Sequence, residues 1–322
     1  MADEVLERTL RARLAAVEAG LADAVRSEHP FITETAQHVM RAGGKRFRPM
    51  LTLLAAEFGD PDLHGVHKSA LVVELTHLAT LYHDDVMDEA DIRRGSPSAN
   101  ARWSNSIAIM TGDYLFARAG EIMSDLGSEA VRIQAQTFTR LVQGQISETI
   151  GPQNGEEPMA HYLRAVADKT ASLVATSARF GAMFAGVPAA QVEVLADFGE
   201  QLGITFQLAD DVLDVATEDT RFGKAAGTDL REGIATLPVL LATASPEPGD
   251  GRLLELLRGD LTDRVRHAEA LELLRSHPAM DAARAEVLRR AATARALLEQ
   301  LPPCPARNAL ADLSDTVARR SV

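Results

Sequence analysis

Asp84 and Asp88 lie four residues apart in Leu81-Tyr82-His83-Asp84-Asp85-Val86-Met87-Asp88. On a helix that spacing sets both carboxylates on one face. A buried pair of bare carboxylates repels, so it calls for a cation or protons. The stretch before it, Ala70 to Leu81, is apolar enough to lie in a core, which puts the acids at its inner end. The spacing recurs in Phe206-Gln207-Leu208-Ala209-Asp210-Asp211-Val212-Leu213-Asp214, again after an apolar helical run. Two such clusters are hard to explain as solvated helix ends. Six carboxylates brought to one cavity would need metal, and hard oxygen donors with room for water and phosphate suit Mg²⁺.

Separate cations accompany the acids. Gly43-Gly44-Lys45-Arg46-Phe47-Arg48-Pro49 places three basic side chains on a glycine-rich turn leading into a helix, a phosphate-binding arrangement. Arg93 and Arg94 follow the first acids, and a guanidinium fork matches anionic oxygens. Glu74, His77, Asp84 and Asp88 fall near one helical face. Gln207 shares a face with Asp210. Lys169-Thr170 lies in a helical pattern, where a surface lysine is the plain alternative. Lys224, on the loop Gly223 to Asp229, could fold over phosphates. No Walker-type loop, nucleophile elbow or His-Glu-x-x-His occurs. Acids for metal, cations for phosphate and no nucleophile suit the ionisation of a diphosphate in an aliphatic cavity.

The 322 residues are 46% hydrophobic, ample for a large core, and only 4% aromatic, so a pocket would be lined by aliphatic side chains. A net charge of −13 argues against nucleic acid. The single cysteine, Cys304, excludes an intrachain disulfide. The acidic start Met1-Ala2-Asp3-Glu4 and the lack of a long apolar run lead us to expect a soluble cytoplasmic protein with no transmembrane segment.

Helical spacing predicts helices over 3–26, 33–42, from Pro49 to Gly59, and over 67–87, 106–126 and 129–149. Further helices are predicted over 159–185, 189–215, 234–244, 252–258, 262–276, 279–301 and 304–320. Period-two alternation is absent, so the expectation is an all-α fold, a single domain over 1–322, with 92–98 as a loop.

The chain resembles the trans-type isoprenyl (polyprenyl) diphosphate synthases. The likeness rests on GGKRFRP at 43–49, ELTHLATLYHDDVMDEADIRRG at 74–95, GDYLFA at 112–117, KTA at 169–171, FQLADDVLD at 206–214 and GKAAGTDLREG at 223–233. It implies the isoprenoid synthase fold, a bundle of antiparallel helices around a central cavity, and a homodimer. It implies that Asp84, Asp85 and Asp88, with Asp210, Asp211 and Asp214, hold three Mg²⁺ ions on an allylic diphosphate. Arg93, Lys169, Thr170, Gln207 and Lys224 resemble residues around that diphosphate. Lys45, Arg48, His77 and Arg94 resemble the isopentenyl diphosphate site. Asp84, Asp88, Arg93, Lys169 and Lys224 form the implied catalytic set. One departure is Ile234, where family members often carry lysine after Glu-Gly.

In this family the residues four and five before the first cluster help to set product length. Here they are Thr80 and Ala79, both small, so a medium or long product, such as a quinone side-chain precursor, is expected. A geranylgeranyl or farnesyl diphosphate synthase would keep the fold and differ in product size. A regulatory subunit of a heteromeric synthase would lack turnover alone, and a cyclase would not need the basic loop.

Overall fold

The computed structural model describes residues 4–217 and 226–320, and these are predominantly helical, with almost no strand. The chain divides into two compact units. The first comprises Met1–Thr139, Leu173–Gly199 and Gln300–Leu310, and the second Arg140–Ser172, Glu200–Glu299 and Ala311–Val322.

In the first unit, α1 (Glu4–Ala24), α2 (Pro30–Arg41), α3 (Phe47–Ala56) and α4 (His64–Met87) lead to the first acid cluster. Then come α5 (Ala99–Arg102), α6 (Asn105–Ser124) and the start of α7 (Ser128–Ile150). Helix α4 is apolar around its whole circumference and is accordingly enclosed, with Val72, Val73, Leu75, Leu78, Ala79 and Tyr82 fully buried. It packs chiefly on α6 and α3. Contact with α6 is close because Gly112 of Gly-Asp-Tyr-Leu-Phe-Ala has no side chain. A Cβ there would meet His83 Nε2 at 2.3 Å and the Ala79 carbonyl oxygen at 3.2 Å. Pro30 starts α2 at the position where a missing N–H costs nothing, three residues ahead of the predicted start.

Residues 92–98 are more ordered than a loop. Ile92–Arg93 (β1) and Ser96–Pro97 (β2) pair antiparallel, in register Ile92 with Pro97 and Arg93 with Ser96. Arg94 (φ 54°) and Gly95 (φ 77°) both take positive φ, as a tight two-residue hairpin turn requires. Strands of two residues are too short to show alternation in sequence.

The second unit contains α8 (Pro158–Val166), the start of α9 (Ser172–Phe184) and the second part of α10 (Ala189–Ala216), which carries the second cluster. They are joined by α11 (Thr228–Arg231), α12 (Leu237–Ala244), α13 (Gly251–Leu257), α14 (Arg264–Ser276) and α15 (Ala279–Leu297). The C-terminal helix is α16 (Pro305–Arg319). The core of the second unit gathers Leu208 and Val212 of α10, Leu237 of α12, Leu274 of α14 and Val287 of α15. The continuous helix predicted over 159–185 is instead interrupted by a π-helical turn, Ala167–Ala171. Such turns, with one residue more than an α-turn, occur often at functional sites. Gly144 of α7 lies against it, since a Cβ there would come within 2.3 Å of the Lys169 backbone nitrogen.

Candidate active site

The first acid cluster is built on the end of α4. Tyr82 anchors that end. Its buried hydroxyl donates to the Thr35 carbonyl (2.5 Å) and accepts from the Val39 N–H (3.2 Å), keying α4 into the backbone of α2. Asp84 and Asp88 lie one turn apart, with Asp84 partly shielded and Asp88 exposed. Asp85 is fully buried, and burial raises its pKa while Arg93 opposes the rise. Arg93 donates to its Oδ1 (2.6 Å) from the adjoining hairpin. Asp85 Oδ2 is buried with no partner among the described residues.

The basic turn folds beside the same helix. Arg46, at φ 45°, is a buried internal cation. It pairs with Glu18 and with Glu74 (2.9 Å) and donates to the Met40 carbonyl. Glu74, itself 1% exposed, thereby supplies the counter-charge for a strongly basic neighbourhood. Lys45 is exposed. Burial lowers the pKa of Arg48, and its Nε is shielded with no partner among the described residues. Arg94 donates to the Gly43 carbonyl. His77 lies within this group, its pKa pushed well below the ordinary value by burial and then by Arg48, Arg94, Arg93 and Arg46. Arg48, His77 and Arg94 thus share one electrostatic neighbourhood, with Lys45 exposed on the turn that leads to Arg48, and an unsatisfied guanidinium nitrogen in such a group is a donor for an anion. One turn before the acids, Thr80 is partly buried and donates to the His77 carbonyl (2.8 Å), while Ala79 is fully enclosed.

In the second unit the three aspartates have three different surroundings. Asp210 pairs with Arg320 at 3.0 Å, and that guanidinium lies 5.0 Å over the Phe206 ring. Asp211, 2% exposed, accepts from the Tyr162 hydroxyl and from Gln207 Nε2 (2.9 Å). Burial pushes its pKa up to about 7 against the pull of these donors. Asp214 accepts the backbone N–H groups of Thr228 and Asp229, both at 3.2 Å, and so anchors the start of α11. Thr170 donates to Gln207 Oε1 (3.0 Å) from the π-helical turn, and Lys169 pairs with Glu148. Lys224 lies outside the described residues. Ile234, where a lysine was expected, is half-buried in the connection between α11 and α12, its N–H bonded to the Asp229 carbonyl (2.9 Å).

Among the described residues, no three or more His, Cys, Asp or Glu side chains are gathered as a metal-holding group. The donor chemistry nonetheless fits a hard divalent cation, since every acid of both clusters offers carboxylate oxygen and Asp85 keeps one buried oxygen unsatisfied. Sequence reasoning missed Tyr162 and Arg320. Neither falls in a cluster of acids or glycines, and each reaches an aspartate only through the fold.

Residues 29–274 match the polyprenyl synthetase family. The chain is 46% identical over 321 residues to the nonaprenyl diphosphate synthase of Mycobacterium tuberculosis, covering 99% of this chain and 96% of that protein. It is 41% identical to heptaprenyl diphosphate synthase component 2 of Geobacillus stearothermophilus, covering 95% of each. A crystal structure of geranylgeranyl pyrophosphate synthase from Corynebacterium glutamicum, complexed with calcium and isoprenyl diphosphate, superposes with a TM-score of 0.89. It has 42% identity and covers 99% of this chain and 98% of that one.

Proposed function

Because the chain belongs to the polyprenyl synthetase family, we propose that it is a prenyltransferase that joins isopentenyl diphosphate to an allylic diphosphate. Repeated additions build a medium or long all-trans polyprenyl diphosphate. The observation that carries this reading is the pair of acid clusters, each on an apolar helix and each bonded to arginine: Asp85 to Arg93, and Asp210 to Arg320. The names of the nonaprenyl and heptaprenyl relatives support the longer product. The whole chain, 1–322, acts in this reading as one synthase domain, since the family match includes segments of both units.

Divalent metal, Mg²⁺ in three ions, would be held by Asp84, Asp85 and Asp88 and by Asp210, Asp211 and Asp214, and it supplies positive charge to the leaving diphosphate. Calcium in the Corynebacterium enzyme supports a divalent ion. Arg93, Lys169, Thr170, Gln207 and Lys224 add donors and charge to the allylic diphosphate. As its C–O bond breaks, the electron pair leaves with pyrophosphate, whose growing charge these groups stabilise. Lys45, Arg48, His77 and Arg94 hold isopentenyl diphosphate so that its double bond meets the allylic cation. A new C–C bond forms, and the adjacent carbon then loses a proton, which the departed pyrophosphate accepts. Holding both partners removes much of the entropic barrier. His77, deprotonated by its surroundings, serves as a neutral hydrogen-bonding group.

We read the chain as a cytoplasmic homodimer. Its lone cysteine suits a reducing compartment. No described helix is long and apolar enough to cross a membrane. Exposed Ile109 and Met110 on α6, with Val131 and Phe138 on α7, offer apolar surface to a second copy. The test is turnover by the purified protein with Mg²⁺, labelled isopentenyl diphosphate and farnesyl diphosphate, with dephosphorylated products sized. A ladder reaching long polyprenols supports the reading, a stop after one addition replaces it with a short-chain synthase, and no elongation without a second subunit replaces it with a component of a heteromeric enzyme.

A further inference from the structure

Resting on the function proposed above, we propose that Tyr162 is a positioning residue for the diphosphate-binding side chains Gln207 and Thr170, acting through Asp211. The geometry is a directed chain. The Tyr162 hydroxyl donates to Asp211 Oδ2, and Gln207 Nε2 donates to Oδ1 of the same carboxylate (2.9 Å). Thr170 Oγ1 then donates to Gln207 Oε1 (3.0 Å).

Each link constrains the next. Asp211 Oδ1 accepts from Nε2, so the Gln207 amide nitrogen is turned inward. The amide oxygen must then face Thr170, which spends its only hydroxyl hydrogen there. One hydrogen of Gln207 Nε2 remains for an anionic oxygen, while Thr170 is left as an acceptor. Asp211 is enclosed at 2% exposure, so Tyr162 rather than bulk water supplies this donor. Without that donor the carboxylate loses one of its two side-chain hydrogen bonds, and the inward orientation of the Gln207 amide is no longer enforced. Tyr162 stands on α8 and touches none of the reacting atoms. Its effect passes entirely through orientation.

The experiment is Tyr162→Phe in the full-length protein. Calorimetry with inorganic pyrophosphate in the presence of Mg²⁺ is expected to show about tenfold weaker binding, the equivalent of one lost hydrogen bond. The KM for farnesyl diphosphate rises by about the same factor, and the KM for isopentenyl diphosphate stays within twofold. Tyr162→Phe adds little to the loss already seen in Gln207→Leu, because both break the same chain. Additive losses, an unchanged pyrophosphate affinity, or equal rises in both KM values together with a lower unfolding temperature would overturn the proposal. If Tyr162→Phe does not fold, Tyr162→Met, which also removes the hydroxyl donor, is expected to give the same selective loss. A selective loss confined to isopentenyl diphosphate also overturns it. Wild-type protein that neither binds Mg²⁺-pyrophosphate nor extends farnesyl diphosphate removes the proposed function and this role together. Wild-type binding that Tyr162→Phe leaves intact removes this role alone.

Discussion

Nη2 of Arg93 lies 2.5 Å from Oδ1 of Asp85, joining the hairpin to the last turn of α4 across a carboxylate that solvent does not reach. Losing one partner of an enclosed ion pair costs about 3–5 kcal/mol. Arg93 keeps 21% of its side chain exposed, so the penalty here is nearer the lower figure. Arg93→Leu is expected to lower the urea midpoint and to slow turnover. Asp85→Asn, which keeps shape and removes charge, is expected to cost less stability. Equal stability in all three proteins would show that the pair does not hold the hairpin.

Gly112→Ala places a methyl where His83 Nε2 stands 2.3 Å away, beside the Ala79 carbonyl. His83 immediately precedes Asp84, so relief by moving α6 or the imidazole displaces the acids. Overpacking of this kind costs about 1–3 kcal/mol. Denaturant unfolding is expected to show that loss, with a larger proportional fall in kcat than in stability-matched surface variants.

Product length is read most cleanly at Thr80. Ala79 is fully enclosed, so Ala79→Phe strains the core, whereas Thr80 is only partly buried. Each helical turn spans about 5.4 Å, close to one extended isoprene unit. Thr80→Phe, and Ala79→Phe where it folds, are expected to shorten the product by one or more units on chromatography. An unchanged ladder in both would remove these positions from the control of chain length.

Acid should destabilise the protein partly through His77. Its folded pKa lies well below the ordinary value, from burial first and the neighbouring arginines second. The unfolded chain therefore takes up this proton first, at about pH 6.5, and binds more protons below it. The stability contributed by neutral His77 is complete above that pH and is lost as pH falls, by at most about 1.4 kcal/mol per pH unit. His77→Gln removes the titration. Urea midpoints at pH 7, 6 and 5 should fall less steeply in the variant, and parallel slopes would contradict the neutral histidine.

The exposed apolar side chains on α6 and α7 predict self-association. Met110→Asp with Phe138→Glu is expected to shift the protein from dimer to monomer mass in light scattering after size exclusion. A wild-type monomer would leave Met110, 56% exposed, without the proposed partner.

The helical class and the apolar helices were legible because they depend on periodicity and on spacing within short stretches. The division of labour inside Asp-Asp-x-x-Asp was not. Asp84 and Asp85 are chemically identical neighbours, and only the packing of α4 encloses one while leaving the other partly open. The same holds for Asp210, Asp211 and Asp214, whose partners Arg320, Tyr162 and the α11 backbone lie up to 110 residues away in sequence. The π-helical turn at Lys169-Thr170 was hidden as well, since one extra residue in a turn leaves no mark on composition.

That turn, Ala167–Ala171, also sets a phase. Each α-helical residue advances the facing direction by about 100°, and a π-turn absorbs one residue without breaking the helix. Deleting one residue here would yield a more regular helix with the same circular dichroism. Yet it would swing everything on one side of the cut through roughly a quarter turn relative to the other. Tyr162 would then face away from Asp211 while Thr170 kept its place. The segment is thus indexed like a gear tooth: insertions and deletions, which most helix ends tolerate, should be nearly forbidden between Tyr162 and Thr170, and deletion scanning across 158–184 should find a sharp minimum in activity there with no matching minimum in helix content.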